Sequence, residues 1–458
     1  MYRALLVALI LLVTSPAHPA VFTVGPGGTH STLQGALNAA VANGEDDEIR
    51  IRQGMVQTTA SAVHAENFRL EITGGWAAGF GSAVADPSAT VLTGSQLVQV
   101  LSLDIPAGDV LIRNLTLADG VADSGGGAHI TVSNANFELA ECRVIANTAT
   151  GSTNVFGGGV RLVVDDDASA EIDRCLFANN NANSASAAGG GLSIAADDGS
   201  FVGRRLEFIN NAAVGTATAR GGGLSVDVGG IAPSVEFVRL TVRSNRVESN
   251  SASLGAGMHV RGSASLSGPF VEVEAAEFER NRRDGSAAGA AQLQLDAPDG
   301  NFTLRSVAAL DGINVSGLRI DATAAAQFLT NNTTAAGNDA DGIRHEDGSS
   351  NTQTQYNAIA FGNGGADLVV GDDGNGSVLT FGNLSGADPG VIDAANGNYR
   401  LASGSSAIDS CISSPAGGLG TLDADFGDRV VNGFVDCGAY EWSADNEDVV
   451  FGDGFEAL

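Results

Sequence analysis

The chain has 458 residues, of which 62 are glycine, 43% are hydrophobic and only 17% are charged. That is too apolar for disorder, yet the glycine content needs a fold with many tight turns, and repetitive β architectures meet both demands. The 23 basic against 53 acidic residues give a formal charge of −30, which opposes nucleic acid and anionic membranes as partners; because every basic residue is arginine, a Schiff-base lysine, a P-loop lysine and a pyridoxal-phosphate anchor are excluded.

In chain order, Arg3 precedes an apolar run from Ala4 to Val13, and Ser15-Pro16-Ala17 supplies a small-x-small site. Residues 1–20 therefore read as a secretory signal peptide, cleaved after Ala17 or after Ala20, with His18 disfavouring the second. The run is shorter than the about 20 apolar residues that span a bilayer, so no transmembrane segment is expected and the protein should be secreted, extracellular or associated with the cell envelope. Residues 21–115 read as an N-terminal cap and first coils. Leu33, Leu37, Ala40 and Val41 share one helical face, which predicts a capping helix. Trp76, Phe80 and Thr90 to Gly94 then open the first irregular coils. The glycines of Val24-Gly25-Pro26-Gly27-Gly28, with Ser31-Thr32-Leu33-Gln34 and Glu48-Ile49-Arg50-Ile51, resemble the entry segment of pectin-lyase-like proteins.

Residues 116–355 carry repeats. Gly-Gly-Gly starts at Gly125, Gly157, Gly189 and Gly221, steps of 32, and Gly255 and Gly289 follow at steps of 34. A second signature, an apolar residue three before an asparagine, ends at Asn147, Asn180, Asn211, Asn245 and Asn281. Five places after each first glycine stand Ile130, Leu162, Ile194, Val226 and Val260, each preceded by His129, Arg161, Ser193, Ser225 or His259. Apolar in and polar out at period two is a strand. Phe137, Phe201, Val235 and Val271 mark a second strand, with Glu138, Val202, Glu236 and Glu272 facing out. One repeat is one coil of a right-handed parallel β-helix, an all-β solenoid in which each coil buries its apolar edge only against the next. The asparagines predict a ladder of side-chain amides that satisfies turn backbone groups, and the glycines supply positive φ at a corner. The pairing of Phe177-Ala178-Asn179-Asn180 with Gly189-Gly190-Gly191 resembles the repeats of chlamydial polymorphic outer-membrane proteins, over about residues 125 to 291. A third glycine stands where that family has alanine, and no autotransporter β-barrel is expected.

Residues 356–442 read as terminal coils and a further module. Asp388-Pro389, Gly397-Asn398-Tyr399-Arg400-Leu401, Ser405-Ser406-Ala407-Ile408-Asp409 and Asp436-Cys437-Gly438-Ala439-Tyr440-Glu441 are similar to the choice-of-anchor Q domain, which implies a surface or secreted β-helix protein and no reaction. Ser406 stands where that pattern has proline and Cys437 where it has an apolar residue. Residues 443–458 form an acidic-aromatic tail, a candidate sorting signal. In an exported chain Cys411 and Cys437, 26 apart, are expected to pair. Cys142 and Cys175 stack inward on adjacent coils, where a second disulfide and two buried thiols fit equally.

Catalysis on such a fold needs carboxylates on one exposed face of neighbouring coils. Beyond the glycines the outward places from His129 to Arg261 hold a single carboxylate, Asp227, so that face is expected to offer no acid pair. Glu138 stacked on Glu171 and Glu236 on Glu272 are weak catalytic candidates; Arg174 and Arg239 three places later make a salt-bridge ladder the expected reading. Asp165, Asp166, Asp167, Asp423, Asp425 and Asp428, with Asp372-Asp373, are weak calcium candidates by charge density; no other cofactor is expected. The sequence thus favours a non-catalytic surface or adhesin-type protein whose partners are extracellular glycans or cell-surface components. The alternative is a carbohydrate-active enzyme, either a polysaccharide lyase or a glycoside hydrolase.

Overall fold

Alternating apolar residues bounded by glycine and asparagine make short strands that end in forced turns. In the computed structural model, residues 19–41, 43–262, 270–297, 299–322, 326–347, 352–370 and 377–443 are described. The signal-peptide assignment, apart from its last residues, together with Asp372-Asp373 and all but the first residue of the tail, lies outside them. Nearly every strand pairs in parallel with its counterpart one coil away, which builds a right-handed parallel β-helix. Sheet I holds two strand segments per coil, joined through a corner; sheet II runs from Ala60–Val63 to Leu368–Val370. Sheet III is made of arms that leave each coil after the asparagine and return at the glycines, among them Asn181–Ala188 and Ala212–Arg220.

The repeat length is not constant. In sheet II, Leu101, Ala128, Val160, Leu192, Leu224, Met258, Leu293, Leu318, Ile343 and Leu368 stand in one register. The steps are 27, then 32 three times, 34 and 35, and then 25 three times. The period of 32 to 34 therefore describes only the coils that carry a full arm, and the last coils have lost it.

Inside, Ile130, Leu162, Ile194, Val226, Val260, Leu295 and Ile320 form one buried column. Phe177 stacks on Phe208 at 4.8 Å and Phe302 on Phe328 at 4.7 Å, as identical coil spacing requires. The next place in the column is His345, fully buried, with Nδ1 2.6 Å from Gln353 Oε1 and Nε2 2.8 Å from Gln355 Oε1. Burial pushes its pKa down, and the apolar core gives way to a polar one as the stack ends.

Two corners repeat in each coil. Asn114, Glu141, Arg174, Arg205, Arg239, Ala275, Ser306, Asn332 and Asn357 all take φ between 50° and 62°, and turn sheet I onto its second segment. The other corner holds the asparagines. Asn180 Nδ2 donates to Val144 O at 2.8 Å and to Asn211 Oδ1 at 3.0 Å, while its Oδ1 accepts Asn147 N–H and Nδ2 at 3.0 Å each. The pattern repeats through Asn211, Asn245 and Asn281. Gly312 stands at the next place, and Gln292 fills it from sheet II, accepting from Asn281 and donating to Asn338 Oδ1 at 2.7 Å. Asn338 and Asn363 continue the ladder, and Asp367 closes it by accepting from Asn363 N–H and Nδ2. A carboxylate suits the last rung, where nothing remains to receive a proton.

The first glycine of each triplet has positive φ, as at Gly157 and Gly189. The second and third are needed for another reason: a Cβ on Gly158 or Gly159 would collide with the carbonyl oxygen of Gly190 or Gly191 in the next coil. At the N-terminal end the helix Leu33–Ala40 buries Leu33, Ala36, Leu37 and Ala40, with Thr32 Oγ1 accepting Gly35 N–H. Val41 is the half-buried C-cap residue just past the helix, and Ala36 completes the apolar face in its place. No helix among the described residues is long and apolar enough to cross a membrane. Residues beyond Gly386 fold back over the outer face of sheet I, pinned by the Cys411–Cys437 disulfide and by Tyr440, which donates to Glu277 at 2.8 Å. Cys142 and Cys175 are buried free thiols, and Cys142 N–H lies 3.4 Å from Cys175 Sγ.

Each interior asparagine closes four hydrogen bonds, so Asn180→Ala or Asn211→Ala should cost about 1 to 3 kcal/mol in chemical denaturation, and Asp367→Ala, at the half-exposed end, less. Equal midpoints for Asn180→Ala and wild type would remove the ladder from the account of stability.

Candidate functional site

The loss of the arms creates the site. Where arms are present they lie against the start of the outer face of sheet II: Phe156 carries the Arg161 guanidinium 4.7 Å above its ring, and Arg220 pairs with Asp227. Ser193, Ser225 and His259, outward by strand alternation, are fully buried there. After Gly289, on whose carbonyl Arg319 rests at 3.0 Å, the coils shorten to 25 residues and this face opens, with the last arm as a step beside it.

On the opened face, register stacks Asp227, Arg261, Asp296, Asp321 and Glu346 on consecutive strands, and His259, Gln294, Arg319 and Arg344 beside them. The expectation of a single carboxylate thus fails for this face as a whole. The signal was present as Leu293-Gln294-Leu295-Asp296, Leu318-Arg319-Ile320-Asp321 and Ile343-Arg344-His345-Glu346, at a 25-residue step hidden by the longer period upstream.

His259 Nε2 donates to Asp296 Oδ2 at 2.8 Å, and Gln294 Nε2 donates to Asp296 Oδ1 at 3.0 Å and reaches Asp321 Oδ2 at 3.4 Å. Arg319 Nε holds both Asp321 oxygens at 2.9 Å, and its Nη2 meets Glu346 at 2.8 Å. Burial works against the Asp296 charge, but the hydrogen bonds from His259, Gln294 and Asp321 outweigh it and hold its carboxyl below the ordinary range. Burial raises Asp321 more than Arg319 lowers it, and the neighbouring Asp296 and Glu346 push the same way, to about 7. Asp321 is thus the member of the row that favours its protonated form, between Asp296 and Glu346, whose carboxyls are both held low. Asp296 keeps 27% and Asp321 19% of its side-chain surface exposed, enough for a substrate to reach them.

The remaining sequence candidates are placed as follows. Glu138 lies in register with Glu171, and Glu236 with Glu272. Their arginine partners are not Arg174 and Arg239: those sit at the left-handed corner and turn away, Arg174 to Glu141 and Asp173, Arg239 over the Phe426 ring. Arg204 pairs with Glu171 at 3.2 Å and lies 3.9 Å from Glu236, and Arg305 pairs with Glu272. Glu138 has no ion-pair partner among the described residues; burial and the nearby Glu171 and Asp173 raise its pKa. Asp165 is raised by burial and by Asp197 and Asp166, Asp166 takes a left-handed corner, and Asp167 edges a depression on sheet I. Asp423 spends its oxygens on the main-chain N–H groups of Asp425, Gly427 and Glu441, Asp425 pairs with Arg400, and Asp428 is exposed. Among the described residues no three carboxylate, histidine or cysteine side chains converge to hold a metal ion.

No family model and no curated protein matches the chain. Among solved structures it is similar to Escherichia coli YbhC, at 11% identity and a TM-score of 0.35 over 63% of this chain and 78% of that one. It is also similar to the PL6 family polysaccharide lyase Pedsa3628 from Pseudopedobacter saltans, at 10% identity and a TM-score of 0.44 over 93% and 99%. At those values neither likeness bears on the site.

The raised Asp321 carboxyl has a direct signature. Infrared or carbon NMR titration should show two carboxyls titrating near 7, Asp321 and the buried Glu441, of which Asp321→Asn removes the first and leaves the second. Because that folded-state value is raised above the ordinary 3.8, the group's contribution to stability is full in acid and lost as pH rises through about 7. Glu441, also raised to about 7, contributes in the same sense, so wild type should lose more stability over that window than Asp321→Asn; a parallel pH dependence of the two would refute the assignment.

Proposed function

We propose that the opened face of sheet II is the catalytic surface of an extracellular carbohydrate-active enzyme that cleaves a polysaccharide by acid–base chemistry. The observation that carries this reading is the Asp296–Asp321 pair: two carboxyls on adjacent coils whose surroundings drive their pKa values in opposite directions. Environments that split a carboxyl pair assign the roles, an ionised base and a protonated acid. Asp296, held by His259 and Gln294, is the base; Asp321, protonated near neutral pH, donates to the leaving oxygen. Arg319 fixes Asp321 and Glu346, and His259 fixes Asp296, so both are positioning residues.

Geometry narrows the reaction. The two carboxyls stand in register on adjacent strands and project from one face, so acid and base act from one side of the scissile bond. An open face repeating along the stack suits a polymer rather than a small molecule. Its acidic residues are matched by Arg261, Arg319 and Arg344, which leaves little net charge to repel an acidic sugar or attract a basic one.

A second reading, a glycan-binding surface without turnover, is favoured by how completely the arginines engage these carboxylates: Arg344 pairs with both Asp341 and Glu346, and Arg319 with Asp321 and Glu346. Such a network also serves as a static ladder.

A panel of polysaccharides assayed for reducing ends, released acid and unsaturated product decides between them. Asp321→Asn should lower turnover about 100-fold or more with the fold intact, and wild-type activity should fall above pH about 7, where Asp321 loses its proton. Binding without turnover in wild type would establish the second reading.

A further inference from the structure

The outer face of sheet I is used by the chain itself to hold an extended main chain. The returning C-terminal segment descends this face coil by coil, from Gly417 over Leu329, to Thr421 over Glu274, to Phe426 over Arg239. It is held by outward side chains bonding its backbone. Arg305 Nη2 donates to Gly417 O at 2.8 Å, Asn331 Nδ2 to Ala416 O at 3.1 Å, and Glu274 Oε1 accepts the N–H groups of Thr421 and Leu422 at 2.6 and 3.1 Å. A carboxylate for the N–H groups and a guanidinium or amide for the carbonyls is the recognition set for polypeptide backbone.

Past Phe426 the same face continues toward the N-terminal coils with no cover from the described residues. There it forms two adjoining depressions of about 360 and 300 Å³ that share Asp109 and Asn136. The set of groups recurs: Asp109, Glu138 and Glu171 as acceptors, Asn136 and Arg69 as donors. Charge has changed, however. Arg69 is already paired with Glu71 and Arg204 with Glu171, Asn136 is bonded to Asp109 at 2.7 Å, and Glu138 has no ion-pair partner among the described residues. With Asp167 at its edge the trough is net negative.

We infer that this trough is a docking site for an extended, cationic polypeptide segment of a partner protein. The segment would continue the line of the C-terminal return, its backbone held by Asp109, Asn136 and Glu138 and its lysine or arginine side chains by the unmatched carboxylates. The site lies on a different sheet from Asp296 and Asp321, and the inference is independent of catalysis.

The full chain would be titrated with a fluorescent oligolysine, an oligoglutamate and a cationic glucosamine oligomer. Asp109→Asn with Glu138→Gln should weaken oligolysine about fivefold or more. Glu248→Gln with Asp284→Asn, the same charge change on the exposed arms, should leave it nearly unchanged, as should Asp321→Asn. Oligoglutamate should not bind. Equal losses in the two double variants would reduce the effect to diffuse attraction by a chain of charge −30 and overturn the proposal. So would tighter, trough-dependent binding of the glucosamine oligomer, which would make the trough a glycan site.

Discussion

Stacking in parallel register is the constraint on which everything else here depends. When coils rise by one strand spacing, ~4.8 Å, each side chain meets its counterpart one coil away, and whatever cannot tolerate its own kind as a neighbour must be matched or removed. Apolar columns and stacked phenylalanines satisfy the rule directly. Asparagine satisfies it because an amide is donor and acceptor at once, so each rung serves the one before and is served by the next. Where the repeat falters at Gly312, Gln292 supplies the same amide from another sheet, and the ladder is not broken.

Carboxylates are the residues that this rule penalises. Placed in one column they repel, and the chain answers with arginines on neighbouring strands: Arg261 between Asp227 and Asp296, Arg319 beside Asp321, Arg344 beside Glu346. In that column no arginine stands between Asp296 and Asp321, and burial and the neighbouring carboxylates favour the protonated form of Asp321. That gap lies beside the step where the arms end, so the carboxyl pair and its access to solvent come from one change in coil length.

The two ends of the stack are treated differently. A short amphipathic helix brings four apolar side chains to the first coils, whereas the last coils replace the apolar interior with His345, Gln353 and Gln355. A polar interior gives a further coil little to bury against, and the chain leaves the stack to fold back over sheet I. There the disulfide Cys411–Cys437 and the bonds from Glu274, Arg305 and Asn331 hold it.

The sequence by itself determined the solenoid, the inward columns and the asparagine corner, because these depend on periodicity, which is local and repeated. It placed Glu138 against Glu171 and Glu236 against Glu272 for the same reason. Tertiary structure alone decided the rest. Arg174 and Arg239 stand three residues from their expected partners, but a left-handed corner intervenes and turns them elsewhere. Ser193, Ser225 and His259 alternate outward yet are fully buried, because arms from distant parts of each coil fold over them. Asp296, Asp321 and Glu346 were spelled out at a 25-residue step, but their meeting depends on how many residues each coil spends on its arm. That number is set by how the arms pack, a three-dimensional quantity that no single period along the chain records.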